Sequence, residues 1–221
     1  MIYRKNYRAS LLSKEGNVSE EMIQQALEKD KSVIQATIVA GRCLTGALYQ
    51  HEDMLFLYME ALEEALEPNV IFPNISKLLA LWPQKDGFQA WAKMYTIYYH
   101  AIPEDETTWG RQGKKTRSGR IAYLHEDKLF SYVYYHKAIV DEGLLEGDRY
   151  QFIALHENIL FSYFEEPKLF THIKKDVHEE SKVINDWLAV DPESHFDHDL
   201  SGEENFLLLP ELFSMGKEDV L

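Results

Sequence analysis

Hydrophobic and polar residues alternate along several short stretches of the chain, which is the pattern of β-strands that bury one face. The clearest stretches are residues 44–50 and 54–60, on either side of a His-Glu-Asp tripeptide at 51–53. Two such runs around a short polar segment predict a β-hairpin. Residues 3–12 alternate in the same way, so we expect a further strand near the beginning of the chain.

Helical spacing of apolar residues appears between the first strand and the hairpin, in residues 19–40. Ser19 is a suitable N-cap for this helix because two glutamates follow it in the first turn. Residues 75–81 and 88–99 also show helical periodicity, and residues 118–124 return to alternation. This part of the chain therefore predicts the order β-α-β-β-α-β, which is that of a ferredoxin-like module.

The chain contains an internal repeat. The pattern His-Glu-[Asp/Asn]-x-Leu-Phe-x-Tyr begins at His51, His125 and His156, and the first and third copies lie 105 residues apart. Residues 76–82 and 181–187 share Ser-Lys and a final Trp at the same offset. A repeat of this length indicates a duplicated module, and the unequal spacing of the three copies excludes a solenoid.

The second module is predicted to repeat the order of the first. We expect a strand over 129–136, a short helix over 137–147, a hairpin over 150–165, a helix from about 178 to 188 and a last strand over 205–213. The fold class is therefore α+β, with two tandem ferredoxin-like modules, residues 1–124 and 125–221, that pack sheet to sheet as an intramolecular α+β barrel.

Several segments resemble a known family. These are Arg4-Lys5 at the first strand, Ala47-Leu48-Tyr49 and 55–60 in the hairpin, and Trp91-Ala92-Lys93-Met94. Together they are similar to the L-rhamnose mutarotase type of dimeric α+β barrel. The resemblance implies acid/base interconversion of sugar anomers, with Tyr49 and Trp91 in an aromatic pocket. That family has a proton-transferring histidine in its first helix, whereas residues 19–40 contain none.

Strand alternation suggests where acid/base groups lie instead. It places Phe56, Tyr58 and Glu60 on one face, with the equivalent residues of the later repeats on the matching face. Burial between the sheets would raise the pKa of a carboxyl group toward neutrality. The predicted catalytic residues are Glu60, Glu165 and His136. The predicted ligand-binding residues are Tyr49, Tyr58, Trp91, Tyr132, Tyr134 and Tyr163. An ordinary packed interface between the sheets is the alternative.

The composition of the chain limits the kinds of molecule that we expect it to bind. The net charge of −14 disfavours nucleic acid and anionic membranes, and no segment has the length and apolarity of a spanning helix. With a single cysteine, Cys43, and no apolar signal segment, we expect a cytoplasmic protein that is a monomer or a homodimer. No cofactor is expected. The histidines of 195–199 are interpreted as part of a polar loop, so no metal site is expected either.

Three functions remain under consideration. The first is binding or isomerisation of a small sugar or hydroxy-acid, and its alternative is a non-catalytic ligand-binding or stress-associated protein. The third is a haem-dependent or cofactor-free monooxygenase, for which His100 and His136 are the axial candidates. The basic cluster of 110–120, which is flanked by Trp109 and contains Arg111, is interpreted as a mobile insertion before the last strand of the first module, with binding of an anionic ligand as the alternative.

Overall fold

The structure is a computed structural model that describes residues 1–12, 18–85, 87–111, 113–174 and 179–220. The start of the helix expected at 178 lies outside the described residues. The strands of the described chain are β1 (Tyr3–Ser10), β2 (Cys43–His51), β3 (Met54–Ala61), β4 (Trp82–Gln84), β5 (Gly87–Gln89), β6 (Ala92–Lys93), β7 (Tyr95–Tyr99), β8 (Thr116–Tyr123), β9 (Gly147–Asp148), β10 (Phe152–His156), β11 (Ile159–Glu166), β12 (Phe170–Thr171), β13 (Leu207–Leu208) and β14 (Glu211–Gly216).

The helices vary widely in length. They are α1 (Glu20–Val39), α2 (Pro68–Ile71), α3 (Glu106–Trp109), α4 (Leu129–Glu142), α5 (Lys182–Ala189) and α6 (His198–Ser201). Short 3₁₀ turns occur at Ile75–Leu78, Glu126–Lys128, Pro192–His195 and Lys217–Asp219. Among the described residues, no helix combines the length and apolarity needed to cross a membrane.

The chain divides into two compact units. The first comprises Met1–Met94, Pro103–Lys114 and Pro210–Leu221, and the second comprises Tyr95–Ile102 and Lys115–Leu209. The first unit has a five-stranded sheet in the order β14-β2-β3-β1-β6. Counted along the chain, its strands β6-β1-β3-β2 follow the 4-1-3-2 order of a ferredoxin-like fold, and β14 extends one edge.

The helix α1 covers one face of this sheet. Its N-cap is Ser19, whose hydroxyl accepts a hydrogen bond from the Met22 backbone N–H. The buried stripe of α1 and the aliphatic residues of β3 belong to one core cluster, which includes Ile23, Leu27, Ile34, Leu55, Leu57 and Met59. The Phe56, Tyr58 and Glu60 side chains therefore lie on the opposite face of the sheet, as the alternation predicts.

The second unit repeats this arrangement. Its sheet has the order β13-β8-β11-β10-β7, in which the first four strands again follow the 4-1-3-2 order. The helices α4 and α5 stand at the two helical positions of the β-α-β-β-α-β sequence. Tyr132, Ile139, Leu160 and Trp187 share its core cluster. The predicted fold class, α+β with two ferredoxin-like modules, is confirmed.

The hairpin turns reveal the duplication most clearly. β2 joins β3 through Glu52-Asp53, and β10 joins β11 through Glu157-Asn158, at an offset of 105 residues. Glu52 and Glu157 both adopt a positive φ, of 53° and 56°. Two non-glycine residues in the same rare conformation at equivalent positions support a common origin for the two hairpins.

The middle copy of the repeat is not a hairpin. Its His-Glu-Asp forms the 3₁₀ turn before α4, and the predicted strand over 129–136 is part of that helix. The prediction was wrong because this stretch is apolar at nearly every position, so period 2 and period 3.6 both match it. The buried positions, Tyr132, His136, Ile139 and Val140, have helical spacing.

The predicted helix over 88–99 is also wrong, since this stretch forms β5, β6 and β7. Its aromatic and β-branched residues favour strands, and β7 pairs with β10. Strand β8, expected to close the first module at 124, pairs with β11 and belongs to the second unit. The last predicted strand divides into β13 in the second unit and β14 in the first.

Candidate functional site

The buried carboxylate of Glu60 accepts hydrogen bonds from three side chains of the first unit. Glu60 is 0% exposed, and its Oε1 accepts hydrogen bonds from the Tyr58 hydroxyl at 2.6 Å and the Trp109 Nε1–H at 2.9 Å. The Arg111 guanidinium binds both oxygens, at 2.5 Å to Oε2 and 2.9 Å to Oε1. A paired and fully hydrogen-bonded carboxylate is the form in which proteins bury this charge.

The segment that contains α3 supplies two of these hydrogen-bond donors, Trp109 and Arg111. Asp105 caps α3 by accepting hydrogen bonds from the Thr107 and Thr108 backbone N–H groups. Trp109 is the last residue of this short helix, and Arg111 follows one residue beyond Gly110. The Arg4 guanidinium lies over the Trp109 ring at 5.0 Å and the Tyr58 ring at 5.6 Å.

The electrostatics of Glu60 oppose an acid/base role. Burial alone would raise its pKa, but the Arg111 guanidinium, with help from Arg4 and Tyr58, lowers the pKa to about 2. Burial raises the pKa of Tyr58 well above its ordinary value. The expected shift of the Glu60 pKa toward neutrality is therefore wrong, because the neighbouring arginine outweighs desolvation. Glu60 is a permanent anion at neutral pH.

The second unit contains the matching residues. The Tyr163 hydroxyl donates to Glu165 Oε1 at 2.6 Å, as Tyr58 does to Glu60. Arg117 stands directly opposite Glu165 in the strand register, as Arg4 stands opposite Glu60. The Arg-Tyr-Glu set is thus a duplicated feature of the two sheets.

His136 lies elsewhere in the second unit, in an aromatic cluster on the helix-covered side of the sheet. Its ring stacks on Tyr132 at 3.8 Å and makes T-shaped contacts with Trp187 at 5.0 Å and Tyr98 at 5.2 Å. Its Nδ1 is 2.9 Å from the Tyr132 carbonyl oxygen. Because a carbonyl oxygen can only accept, Nδ1 carries the hydrogen, and Nε2 keeps its lone pair.

The surroundings of His136 keep its imidazole neutral. Burial lowers its pKa to about 4, with a contribution from nearby His195, although the Tyr132 carbonyl opposes the shift. The residue is 8% exposed. We name this set of rings, formed by Tyr98, Tyr132, His136, Trp187 and His195, the histidine–aromatic cluster.

Two more histidines contact these aromatic rings, His195 as a member of the cluster and His100 at its border. His100 meets the edge of Tyr98 at 4.8 Å, and its Nδ1 is 3.1 Å from the Leu145 carbonyl oxygen. His195 lies 4.7 Å from the Trp187 ring, and its Nε2 is 3.0 Å from the Ser131 hydroxyl. Tyr98 thus lies between His100 and His136, and Trp187 lies between His136 and His195.

The three predicted catalytic residues do not form one constellation. Glu60 belongs to the first unit and the other two to the second. Leu160 of β11 belongs to the helix-side core, so alternation places Glu165 on the opposite face of that sheet from His136. His136 is on a helix rather than on the predicted strand.

The predicted ligand-binding residues also separate. Tyr49, Tyr58 and Tyr163 are buried on sheet faces away from the helices, and Tyr132 is buried in the histidine–aromatic cluster. Tyr134 is on the outer side of α4 and is 66% exposed. The helical geometry separates Tyr132 from Tyr134, because residues two apart do not share a helix face.

Sequence reasoning missed Trp109, Arg111 and Arg4. The sequence predicts a mobile insertion at the segment of Arg111, but the Arg111 side chain is almost fully buried against Glu60. One signal was present in the sequence: a glutamate predicted to be buried in a strand needs a cation, and a Trp-Gly-Arg sequence offers one beside an indole.

Comparison with models of known protein families and with curated proteins finds no significant match. Several solved structures are similar across almost the whole chain. A "putative monooxygenase" from Fusobacterium nucleatum is 9% identical, with a TM-score of 0.43 and coverage of 98% of this chain and 94% of that one. An anthrone oxidase-like protein is 7% identical, with a TM-score of 0.37 and coverage of 100% and 98%.

A third is chlorite dismutase from Candidatus Nitrospira defluvii, 10% identical, with a TM-score of 0.37 and coverage of 98% and 93%. The likeness concerns the fold alone. The mutarotase-like interpretation is wrong, because Glu60 lacks the pKa that acid/base isomerisation of a sugar requires of it, and Glu60 lies in a different unit from Glu165 and His136. A sugar- or hydroxy-acid-isomerising function is therefore not retained.

His100 does not fit the role of an axial haem ligand. Haem ligation needs a histidine nitrogen that faces space beside the ring. The ring of His100 covers Gly147 so closely that a Cβ on Gly147 would overlap it. Within the described part of the chain, no group of three or more His, Cys, Asp or Glu residues is placed to hold a metal ion.

Proposed function

We propose that the protein is an oxidative enzyme of the haem-free oxygenase type, in which His136 accepts a proton from a small aromatic substrate that then reacts with dioxygen. The observation that carries this proposal is the neutral imidazole of His136 among aromatic rings, with a pKa of about 4. A general base must be unprotonated at working pH, and His136 meets that requirement across the neutral range.

The arrangement around His136 supports a defined direction of proton transfer. The hydrogen bond from Nδ1 to the Tyr132 carbonyl holds the ring and fixes the tautomer, so Nε2 is the accepting atom. Among the described residues, no hydrogen bond occupies Nε2. Tyr98, Tyr132 and Trp187 surround the imidazole with aromatic surface, in one stacked and two T-shaped contacts.

The low basicity of His136 restricts the substrate. A base with a pKa of about 4 removes only a relatively acidic proton, such as that of a methylene group activated by aromatic rings and a conjugated carbonyl. The resulting carbanion supplies the electrons. One methylene group and one dioxygen molecule then give one carbonyl group and one water, so no further reductant is required.

Anthrone, whose methylene group is activated in this way, is a direct probe. We expect the protein to accelerate dioxygen uptake by anthrone, with one anthraquinone formed for each dioxygen consumed. His136→Phe keeps a planar ring but removes the base, and should lower the accelerated rate by about 10²-fold. The matched control, His125→Phe, changes a half-exposed histidine of the second unit and should leave the rate unchanged.

Melting curves of the two variants show whether each remains folded. The proposal is overturned if the protein gives no acceleration beyond that of an inert protein at equal concentration. It is also overturned if folded His136→Phe retains the wild-type rate, because the imidazole would then have no part in proton removal.

A further inference from the structure

A groove of about 260 Å³ lies on the first unit, between the start of α2 and the hairpin of β4 and β5. A volume slightly below the roughly 300 Å³ of the smallest drug-sized pockets suits a fragment of one or two rings. The groove is lined by Glu67, Pro68, Asn69, Phe88, Gln89, Ala90 and Trp91.

Two aromatic side chains form its walls. Trp91 is only 4% exposed, and its Nε1–H donates to the Ser76 hydroxyl at 2.8 Å, which fixes the orientation of the indole. Phe88, on β5, is 70% exposed although it is a large apolar side chain. A ligand ring placed against the exposed phenyl of Phe88 would remove apolar surface from water, whereas the indole of Trp91 is already buried.

The polar side of the groove contains one oriented carboxylate. The Tyr7 hydroxyl donates to Glu67 Oε2 at 3.1 Å, and the Lys5 ammonium is 3.7 Å from Oε1. Lys5 also donates to the carbonyl oxygens of Glu64 and Leu66, so it is held in place. Because Lys5 already balances the charge of Glu67, the site favours a neutral hydrogen-bond donor over a second cation.

We propose that this groove binds a small neutral aromatic compound that carries one N–H or O–H donor, such as an indole or a phenol. The ring would lie against Phe88 in the groove that Trp91 also lines, and the donor would bond to the Glu67 carboxylate. The hairpin that supplies Phe88 has no counterpart in the second unit, where the equivalent positions fall in α5 and the turn after it. The site is separate from the histidine–aromatic cluster and does not depend on the function proposed there.

Indole and 1-methylindole are matched probes, since they have nearly the same shape and only indole carries the donor. In titrations of the ¹⁵N-labelled full chain followed by NMR, indole should shift the amide signals of Asn69, Gln89 and Ala90 saturably, with a dissociation constant of roughly 1 mM. 1-Methylindole should bind at least about fivefold more weakly, as expected for loss of one hydrogen bond.

Phe88→Ala removes the exposed wall and should weaken indole binding by about fivefold or more. The control is Leu81→Ala, which shortens another exposed apolar side chain just before the same hairpin. The proposal is overturned if indole shifts none of the groove signals, if 1-methylindole binds as tightly as indole, or if the two variants weaken binding equally.

Discussion

Replacing Arg111 with alanine is expected to destabilise the protein by about 3–5 kcal/mol, because the change leaves the Glu60 carboxylate buried without its main cation. The Arg111 side chain is 2% exposed and that of Glu60 is 0% exposed, so water cannot replace the lost guanidinium. Chemical denaturation at pH 7, with the midpoint and slope fitted separately, measures this loss.

The pH dependence of the variant gives a second test. In the natural protein, the Glu60 pKa of about 2 lies below the ordinary value of 4.5, so its contribution to stability is present above pH 4.5 and is lost as pH falls toward 2. Without Arg111, burial raises that pKa instead. Protonation then relieves the buried charge, and the stability difference between variant and natural protein should shrink as the solution is acidified below neutrality.

Arg42→Ala is the control for this experiment. Arg42 makes a bidentate pair with Glu63, also in the first unit, but both side chains are substantially exposed. Solvent screens such a pair, so its removal should change the denaturation midpoint little. If Arg111→Ala were no more harmful than Arg42→Ala, the Glu60 cluster would not be the buried, arginine-dependent site described above.

Gly147→Ala should destabilise the second unit by about 3 kcal/mol, since the added Cβ would overlap the imidazole ring of His100. The ring cannot move freely, because its Nδ1 contacts the Leu145 carbonyl oxygen and its face meets Tyr98. Thermal and denaturant unfolding measure the change. Gly46→Ala is the matched control, since a Cβ there would meet only ordinary contacts at 3.9 Å or more.

A double-mutant cycle separates this clash from any backbone effect. In a His100→Ala background, the same change at Gly147 should cost far less, because the overlapping ring is gone. An equal cost in both backgrounds would show that His100 does not pack on Gly147.

The sequence predicted the duplicated fold well and its details less well. The hairpins at offset 105 were recognisable because their alternating runs and turn residues are strong local signals. The assignment of 129–136 as a strand failed because an almost continuously apolar stretch does not distinguish the periodicity of a strand from that of a helix. The helix is selected by its packing against Trp187 and the sheet. The pairing of β8 with β11 was equally hidden, since strand order depends on contacts distant in sequence.

The candidate site was predicted only in part. Alternation correctly placed Tyr58 and Glu60 together on one face of the sheet. It could not show that Arg111, 51 residues further along the chain, pairs with the Glu60 carboxylate, because that contact depends on the tertiary structure. His136 was selected as a candidate for the wrong reason, as a strand residue. Its neutral state follows from burial among rings that only the tertiary structure brings together.

In the proposed function, His136 rather than Glu60 is the group available for proton transfer at neutral pH. The most direct measurement is the NMR titration of the His136 imidazole nitrogens in the ¹⁵N-histidine-labelled full chain. A pKa of about 4 is expected, with the hydrogen on Nδ1 above it.

The measured pKa of His136 also determines how this residue makes the stability of the fold depend on pH. Because the folded-state pKa lies below the ordinary 6.5, the neutral ring contributes stability that is complete above pH 6.5 and is lost as pH falls toward 4. A midpoint near 6.5, with imidazolium forming just below neutrality, would contradict the account, since His136 would then be solvated rather than held neutral in the histidine–aromatic cluster.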